Sequence, residues 1–423
     1  MRQRRTSEPA APLGADEGAG TGGGGDTGDG GNTDVGGSSS ASGSGTPVPG
    51  RTAAAGPSPL LHGPAAARLR AAAAADAAAP RRDFLFAPPS ALHKPLAALL
   101  ADPRDLPILF LFLNIALTTA PAAAALFALF PPASRPLPHL LGAAYLLVNS
   151  AAYLARFMLS LHFSQHRQLF RRGLWPLNLV APVLLAPLFG VPSGMYHLHH
   201  CLMHHGGNNR APIDASSTEP YQRDSPAAFL HYWLRFALGA WLEVPLRCLR
   251  YRRLGLLAAS LAAELCYLAG AVAAWRANPR AALWVLALPY CVATLALMFG
   301  NWSQHIFVDP SAPRDSFRLT YNCVGVGDNA MTYNDGYHIV HHLNGRLHWT
   351  ELPTRFAATL EAHAEHDALC FVGTSFFQIG AAVMAGQYGY LLRHLSRYSA
   401  RLAAMDDAQL TALLKSRLAP IAR

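Results

Sequence analysis

The sequence predicts an all-α integral membrane protein with about four transmembrane helices in two hairpins and a further layer of helices on the cytosolic side. Two observations support this fold class. Hydrophobic residues account for 51% of the 423 residues and charged residues for only 14%, a balance that is unusual for a soluble domain. The apolar residues are also concentrated in long stretches, as they are in membrane helices. An ordinary soluble globular protein is therefore excluded.

The first 82 residues differ from the rest, because they are rich in glycine, alanine, serine and proline. Such a segment buries too little apolar surface to offset its loss of conformational entropy, so we expect residues 1–82 to be disordered. The basic start is typical of an organelle transit peptide, but acidic residues such as Asp16 and Glu17 argue against that role. We expect one membrane-embedded domain over residues 83–423.

Four apolar stretches have the length of transmembrane helices. Each has about 20–25 residues, which is enough to cross the hydrocarbon core of a bilayer as a helix. They lie at residues 106–130, 137–161, 254–275 and 281–302. Short connections within each pair predict two hairpins, and each hairpin must return the chain to the side on which it started.

Three other apolar stretches are predicted not to span. Residues 174–195 contain four prolines, which favours a re-entrant or interfacial segment. Residues 368–392 contain glutamines and glycines, and we expect a helix packed against the membrane face or the cytosolic layer. Residues 230–249 mix aromatic, leucine and charged side chains, as an amphipathic helix in the membrane interface does.

The formal charge of +9 comes mostly from arginine, and many of these arginines flank apolar stretches. Such residues indicate membrane orientation rather than nucleic-acid binding, so no nucleic-acid partner is expected. More of them, including Arg167, Arg171 and Arg247, fall on the side that carries most histidines. That side is therefore predicted to be cytosolic, or its plastid equivalent. The six cysteines form no CxxC pair, and we expect free thiols.

Clusters of histidine mark the ends of the predicted transmembrane segments. The first cluster is HxxxH, the second is rich in adjacent histidines, an NxxxH sequence follows the fourth stretch, and the last cluster is HxxHH. The residues concerned are His162, His166, His197, His199, His200, His204, His205, Asn301, His305, His338, His341 and His342. Isolated histidines such as His231, His363 and His394 are expected to be ordinary surface or core residues.

These spacings predict a metal site. Neutral imidazole binds iron, zinc and copper, and side chains three or four residues apart lie on one face of a helix. The clusters contain more imidazoles than one tetrahedral zinc ion can use, and adjacent histidines can point at two different metals. We therefore expect a dinuclear centre with mostly nitrogen ligands near the membrane surface.

The order HxxxH, HxxxHH and HxxHH, over about residues 95–350, resembles the membrane fatty acid desaturase superfamily. The sequence Asn301-Trp-Ser-Gln-His305 is similar to an element that acyl-CoA desaturases place before the last box. The resemblance implies two iron ions, with Asn301 as an outer ligand acting through water. The implied iron ligands are His162, His166, His200, His204, His205, His305, His338, His341 and His342.

The second cluster departs from the family pattern, because it carries the additional histidines His197 and His199. Either could replace His200 as a ligand if the helix is rotated, so the register stays open. Asp309, Asp335 and the pair Asn208–Asn209 are candidates for fixing imidazole tautomers through hydrogen bonds. His348 is a candidate for orienting the substrate or the ligands. The chain shows no His-Pro-Gly-Gly haem motif.

What the resemblance implies is an oxygen-dependent enzyme that introduces a double bond into an acyl chain of a membrane lipid or an acyl thioester. Electrons would come from a partner such as cytochrome b5 or ferredoxin, and the endoplasmic reticulum is favoured over a plastid. A hydroxylase, or an enzyme acting on a sphingoid or carotenoid lipid, is the main alternative. A histidine-rich metal transporter is a further alternative, but transporters place ionisable ligands inside the spans.

Overall fold

The structure is a computed structural model that describes residues 59–130 and 136–421. Within that part of the chain it is helical apart from two three-residue strands, which confirms the predicted all-α class. The longer helices are α1 (Gly63–Ala78), α2 (Leu106–Leu117), α3 (Thr119–Leu129), α4 (Pro136–Asn149), α5 (Ala155–His166), α6 (Pro226–Arg250), α7 (Leu254–Ala277), α8 (Leu288–Gln304), α9 (His338–Leu343), α10 (Leu352–Ala358), α11 (Leu360–Glu365), α12 (Phe376–Met384), α13 (Tyr388–His394) and α14 (Asp407–Ser416). Strands β1 (Asn322–Val324) and β2 (Cys370–Val372) pair in parallel.

Five helical stretches of the described chain are long and apolar enough to cross a membrane, one more than predicted. They are Pro103–Leu129, Pro138–His166, Arg172–Phe189, Leu254–Ala277 and Pro279–Gln304. Four of the five correspond to the predicted spanning segments. The second and the last each contain a π-helical segment, Ser150–Leu154 and Leu283–Ala287 respectively.

The additional stretch, Arg172–Phe189, is a broken helix rather than a continuous one. It consists of a 3₁₀ segment, a π segment and a second 3₁₀ segment, because its prolines lack the N–H that a regular α-helix requires. The chain then turns at Gly190, which has a left-handed φ of 70°.

The chain after this turn runs back along the stretch that it has just left. The Ser193 hydroxyl donates to the carbonyl of Val183 at 2.9 Å, and the Gly194 N–H donates to that of Pro182 at 2.9 Å. The rings of His166 and His200, which precede and follow the excursion, lie only 5.3 Å apart. Both ends of the segment therefore lie close together, as the prediction of a re-entrant or interfacial segment requires.

Residues 368–392 do not form a spanning helix in the structure. They contain β2, α12 and the start of α13, and α12 begins with a capping box formed by Ser375 and Gln378. Helix α12 packs closely on α8, where a Cβ on Gly380 would lie 2.1 Å from the Ser303 hydroxyl. This segment is not among the described stretches that are long and apolar enough to span, and its helix α12 packs on the last residues of the final spanning stretch rather than on the cytosolic layer.

Helix α6 confirms the predicted amphipathic segment. Ser225 caps its first turn by accepting a hydrogen bond from the Ala228 N–H. One face is buried at Tyr232 and Val244, while Leu238 and Leu242 on another face are 74% and 68% exposed. An apolar face of this size that is not covered by protein suits a helix in contact with lipid.

Helix α1 contradicts part of the predicted disorder. It lies within residues 1–82, yet Ala66, Leu69 and Ala73 are buried in the main core. Alanine is the strongest helix former, and small side chains on one face allow a close approach to the rest of the protein. The prediction for residues 1–58 lies outside the described residues.

The turn at Gly190 generates a testable prediction. A Cβ at this position would lie 2.4 Å from the backbone of Pro289 and Tyr290, and the left-handed backbone disfavours any side chain. We expect Gly190→Ala to destabilise the protein by more than about 1 kcal/mol. The measurement is the thermal unfolding midpoint of detergent-purified protein. Gly173→Ala is the control, because a Cβ there meets nothing within 4 Å; equal midpoints for both variants would contradict the prediction.

Candidate metal centre

Five imidazoles from three distant parts of the chain form one compact group. One ring nitrogen of each lies within 4.8 Å of those of the other four. The members of this group, which we call group A, are His162, His166, His200, His205 and His341. The first two come from the end of α5, the next two from residues 195–207, and the last from α9. The HxxxH spacing places its two rings on one face of α5, as predicted.

Three more imidazoles form a second group beside the first. His204, His305 and His342 also place one ring nitrogen each within 4.8 Å of one another, and we call them group B. The two groups adjoin, since the rings of His205 and His342 are 4.9 Å apart. Each adjacent pair, His204–His205 and His341–His342, therefore sends one imidazole to each group.

His338 lies beside group B rather than inside it. Its ring centre is 4.8 Å from that of His342 and 5.5 Å from that of His305. The side chain is buried, and its Nδ1 lies 3.5 Å from a carboxylate oxygen of Asp335. All nine histidines that the sequence predicts as ligands are thus in or directly beside the two groups.

The sequence left three histidines as candidates for one position. The structure places His200 in group A but neither His197 nor His199. His197 is exposed, and the ring of His199 packs against Phe236 at 4.8 Å. His199 and His200 are adjacent in a helix, so their side chains point in different directions. Residues Leu198–His204 form a π-helix, a geometry that is often found at functional sites. His204 lies in group B, whereas His200 and His205 share group A.

Hydrogen bonds at the opposite ring nitrogens hold the group B imidazoles in place. His204 Nδ1 lies 2.7 Å from Asp214 Oδ2, His342 Nδ1 lies 3.0 Å from Asn208 Oδ1, and His305 Nδ1 lies 3.0 Å from the carbonyl of Leu319. Such partners fix the tautomer and orientation of a metal-binding imidazole. In each of the three, the Nε2 atom is the one left for a metal.

Asp214 is a residue of the candidate site that the sequence analysis missed. It follows the last histidine of the second cluster by nine residues in an irregular loop, and no periodic spacing marks it. Burial acts to raise the pKa of its carboxyl, but the interaction with His204 outweighs this and lowers the pKa below its usual value. Asp214 is therefore an anion in contact with group B.

Asn301 belongs to the network behind His204. Its Nδ2 donates to the Tyr232 hydroxyl at 2.7 Å and to the Ser216 carbonyl at 2.9 Å. The N–H and hydroxyl of Ser216 both donate to Asp214 Oδ1 at 2.8 Å. Asn301 thus supports the loop that holds the carboxylate partner of His204.

Of the other residues that were predicted to orient the ligands, one lies at the site and the others make contacts elsewhere in the protein. Asp335 is at the site, where it accepts a hydrogen bond from Gln304 at 2.7 Å and lies near His338. The prediction for Asp309 is wrong, because its carboxylate accepts from Ser311 in a turn and pairs with Arg417.

Two further candidates hold neighbouring parts of the scaffold. His348 Nε2 lies 3.0 Å from Asp105. Asn209 accepts from the Thr218 N–H within the loop after the second cluster.

The nitrogen atoms of both groups fit transition-metal ions. His166, His305 and His342 each have a buried Nε2 for which the described chain provides no hydrogen-bond partner. In group A, Nε2 of His341 lies 2.7 Å from that of His162 and 3.0 Å from that of His205. Burial lowers the pKa of His200, His205, His341 and His342 well below the usual value, which leaves them in the neutral form that binds metals.

An apolar cavity of about 480 Å³ adjoins the two groups. Its wall includes the rings of His162, His200 and His204. Most of the remaining wall is apolar, with Met158, Val191, Met195, Phe236 and Leu297 among the lining residues. A volume of this size is in the usual range for a small-molecule site.

The contact between His204 and Asp214 yields a prediction. Asp214→Asn removes the anionic partner of His204, and we expect the affinity of the purified protein for Fe²⁺ to fall about 10- to 100-fold. The affinity is measured by competition with a chromophoric chelator. Asp309→Asn serves as the control and should bind Fe²⁺ as the wild type does, since Asp309 touches neither group. An unchanged affinity in Asp214→Asn would show that this contact does not support the site.

Comparisons with known proteins agree with the histidine geometry. The family model for fatty acid desaturases matches residues 134–374, which is more than half of the chain and includes all nine histidines. No curated protein and no solved structure gives a significant match. The extent of the family match shows that the chain belongs to the fatty acid desaturase family.

Proposed function

We propose that this chain is an oxygen-dependent desaturase that uses two iron ions to introduce a double bond into an acyl chain. The observation that carries the proposal is the pair of adjoining imidazole groups in the wall of one apolar cavity. Membership of the family already makes the chain an oxidoreductase of the desaturase type in a membrane. The proposal adds the number of irons, the residues that hold them and the class of substrate.

Group A would hold one iron and group B the other. His338 would join group B, because its ring lies beside both His305 and His342. Bound iron would supply the oxygen chemistry that removes hydrogen from an unactivated methylene, which no protein side chain performs alone. The imidazoles are largely shielded from water, and burial keeps those of His200, His205, His341 and His342 neutral, so they would serve as ligands rather than as acids or bases.

The cavity wall would bind and orient the hydrocarbon. Apolar side chains exclude water from the carbon that faces the metals, and they provide a path for an unbranched chain. Residues Leu154, Met158 and Leu159 line one part of this wall, and Met195 lines another. These contacts recognise hydrocarbon but not a head group, which supports an acyl lipid or acyl thioester as the substrate class.

Two electrons per reaction would come from a separate protein. Cytochrome b5 or ferredoxin has the required one-electron chemistry. We place the protein in the membrane of the endoplasmic reticulum rather than in a plastid. The position of the imidazoles at the ends of the apolar helices disfavours a metal transporter.

Expression in yeast with lipid profiling tests the proposed reaction. We expect new acyl products that are lighter than their precursors by two hydrogen atoms, measured by mass spectrometry against an empty-vector strain. Products heavier by one oxygen atom would instead identify a hydroxylase. Changes confined to sphingoid bases or carotenoids would identify a different lipid substrate and would contradict the acyl assignment.

Removal of one imidazole from each group tests the proposed ligands. We expect His341→Ala and His204→Ala to lose bound iron and to abolish lipid oxidation, because each contributes a nitrogen to a closely packed group. Iron per folded protein is measured by elemental analysis after size-exclusion chromatography. His231→Ala is the matched control, since His231 is exposed and contacts only the ring of Tyr221 among the described aromatic residues. Lipid oxidation that survives in either site variant would refute the assignment.

A further inference from the structure

We infer that Asp76, in helix α1, is a positioning residue for the last histidine cluster. The inference rests on the proposed function, because it assumes that His341 and His342 hold iron. Helix α1 precedes the region that matches the desaturase family, which begins at residue 134. The matched region therefore does not contain the residue that we assign to this role.

Asp76 is bonded to the segment that leads into α9. Its Oδ2 accepts three hydrogen bonds: from the Tyr337 hydroxyl at 2.6 Å, the Asn329 side chain at 2.9 Å and the Gly325 N–H at 2.9 Å. The residue is only 8% exposed. Hydrogen bonds to a carboxylate are stronger than those between neutral groups, and water has little access to replace them here.

Two of these donors are connected directly to the start of α9. Tyr337 immediately precedes His338 and is the N-cap residue of the helix. Asn329 uses its other amide atom, Oδ1, to accept a hydrogen bond from the Gly336 N–H at 3.2 Å. A Cβ on Gly336 would lie 2.2 Å from the carbonyl of Cys323, so the chain is closely packed at this point. Asp76 thus fixes the two residues before the cluster.

Helix α9 needs such external support because it has only six residues. A helix this short has little stability of its own, so its direction is set by the contacts at its ends. His341 contributes to group A and His342 to group B. A rotation or shift of α9 would consequently displace one imidazole from each group at once.

A second set of contacts holds the chain that follows α1 against the same loop. Arg81 forms an ion pair with buried Asp83 at 2.8 Å and donates to the Asn329 carbonyl at 3.0 Å. The N–H of Arg82 donates to the carbonyl of Ala330 at 2.8 Å. Before α1, the N–H of His62 donates to the carbonyl of Tyr398 at 2.7 Å. Helix α1 is therefore held at both ends, so the position of Asp76 relative to the loop before α9 is fixed.

The test compares Fe²⁺ affinity with stability in the full-length purified protein. We expect Asp76→Ala to weaken Fe²⁺ binding about tenfold, measured by chelator competition. The matched control is Leu69→Ala, which truncates a fully buried side chain of the same helix but leaves the contacts of Asp76 intact. This control should lower the thermal midpoint of the metal-free protein and keep the wild-type affinity for Fe²⁺.

Tyr337→Phe removes a single hydroxyl and provides the second measurement if Asp76→Ala does not fold. We expect a smaller loss of Fe²⁺ affinity than in Asp76→Ala, and a double variant that is no weaker than Asp76→Ala alone, because both changes remove the same hydrogen bond. Wild-type affinity in both single variants would overturn the inference. An equal loss of affinity in Leu69→Ala would also overturn it, since the effect would then be one of general stability.

His341→Ala, measured in the same series, separates this inference from the proposed function. If His341→Ala binds Fe²⁺ as the wild type does, the proposed metal site is wrong and the role of Asp76 falls with it. If His341→Ala loses Fe²⁺ and Asp76→Ala retains it, only the positioning role is wrong. Loss of Fe²⁺ affinity in both, with Leu69→Ala unaffected, supports both proposals.

Discussion

The structure depends on the meeting of eight imidazoles from distant parts of the chain within two adjoining groups. Some of their nitrogen atoms lie about 3 Å from the nitrogen of a neighbouring imidazole. Others are buried without a protein partner, which is costly for a polar group. Bound metal ions would satisfy the lone pairs of these buried nitrogens. The hairpins, the re-entrant segment and the short helix α9 are all arranged so that this meeting takes place on one side of the apolar helices.

The proline-containing segment shows how closely topology and chemistry are connected. By length and hydropathy, Arg172–Phe189 qualifies as a transmembrane helix, and a complete crossing would separate His166 from His200 by the thickness of a bilayer. The prolines prevent a regular α-helix, and the turn at Gly190 returns the chain. Hydropathy alone cannot distinguish these two paths, whereas the requirement that both histidine clusters share a metal site can.

The sequence predicts which histidines meet in space better than it predicts the residues that support them. Histidine spacing follows helical geometry, so without knowledge of the fold the spacing of His162 and His166 predicts one shared face, and the adjacency of His341 and His342 predicts that they point in different directions. Asp214 and Asp76 have no such signature, because their contacts depend on how loops and helices pack. Asp309 was wrongly predicted for the same reason: its nearness in sequence to His305 does not bring it near in space. The alanine-rich composition of α1 indicated disorder, although alanine favours a helix wherever a neighbouring surface can bury it.

Two carboxylates support the proposed site in different ways. Asp214 touches an imidazole directly, so it fixes a ring and brings a negative charge to group B. Asp76 acts through Tyr337 and Asn329, and it fixes the backbone from which two imidazoles project. If two iron ions bind as proposed, all nine ligands are neutral, so the nearby anion Asp214 would offset part of the metal charge in a buried setting. Asp214 would thus supply both the orientation of one ring and a negative charge, whereas Asp76 would supply orientation alone, through the backbone of α9.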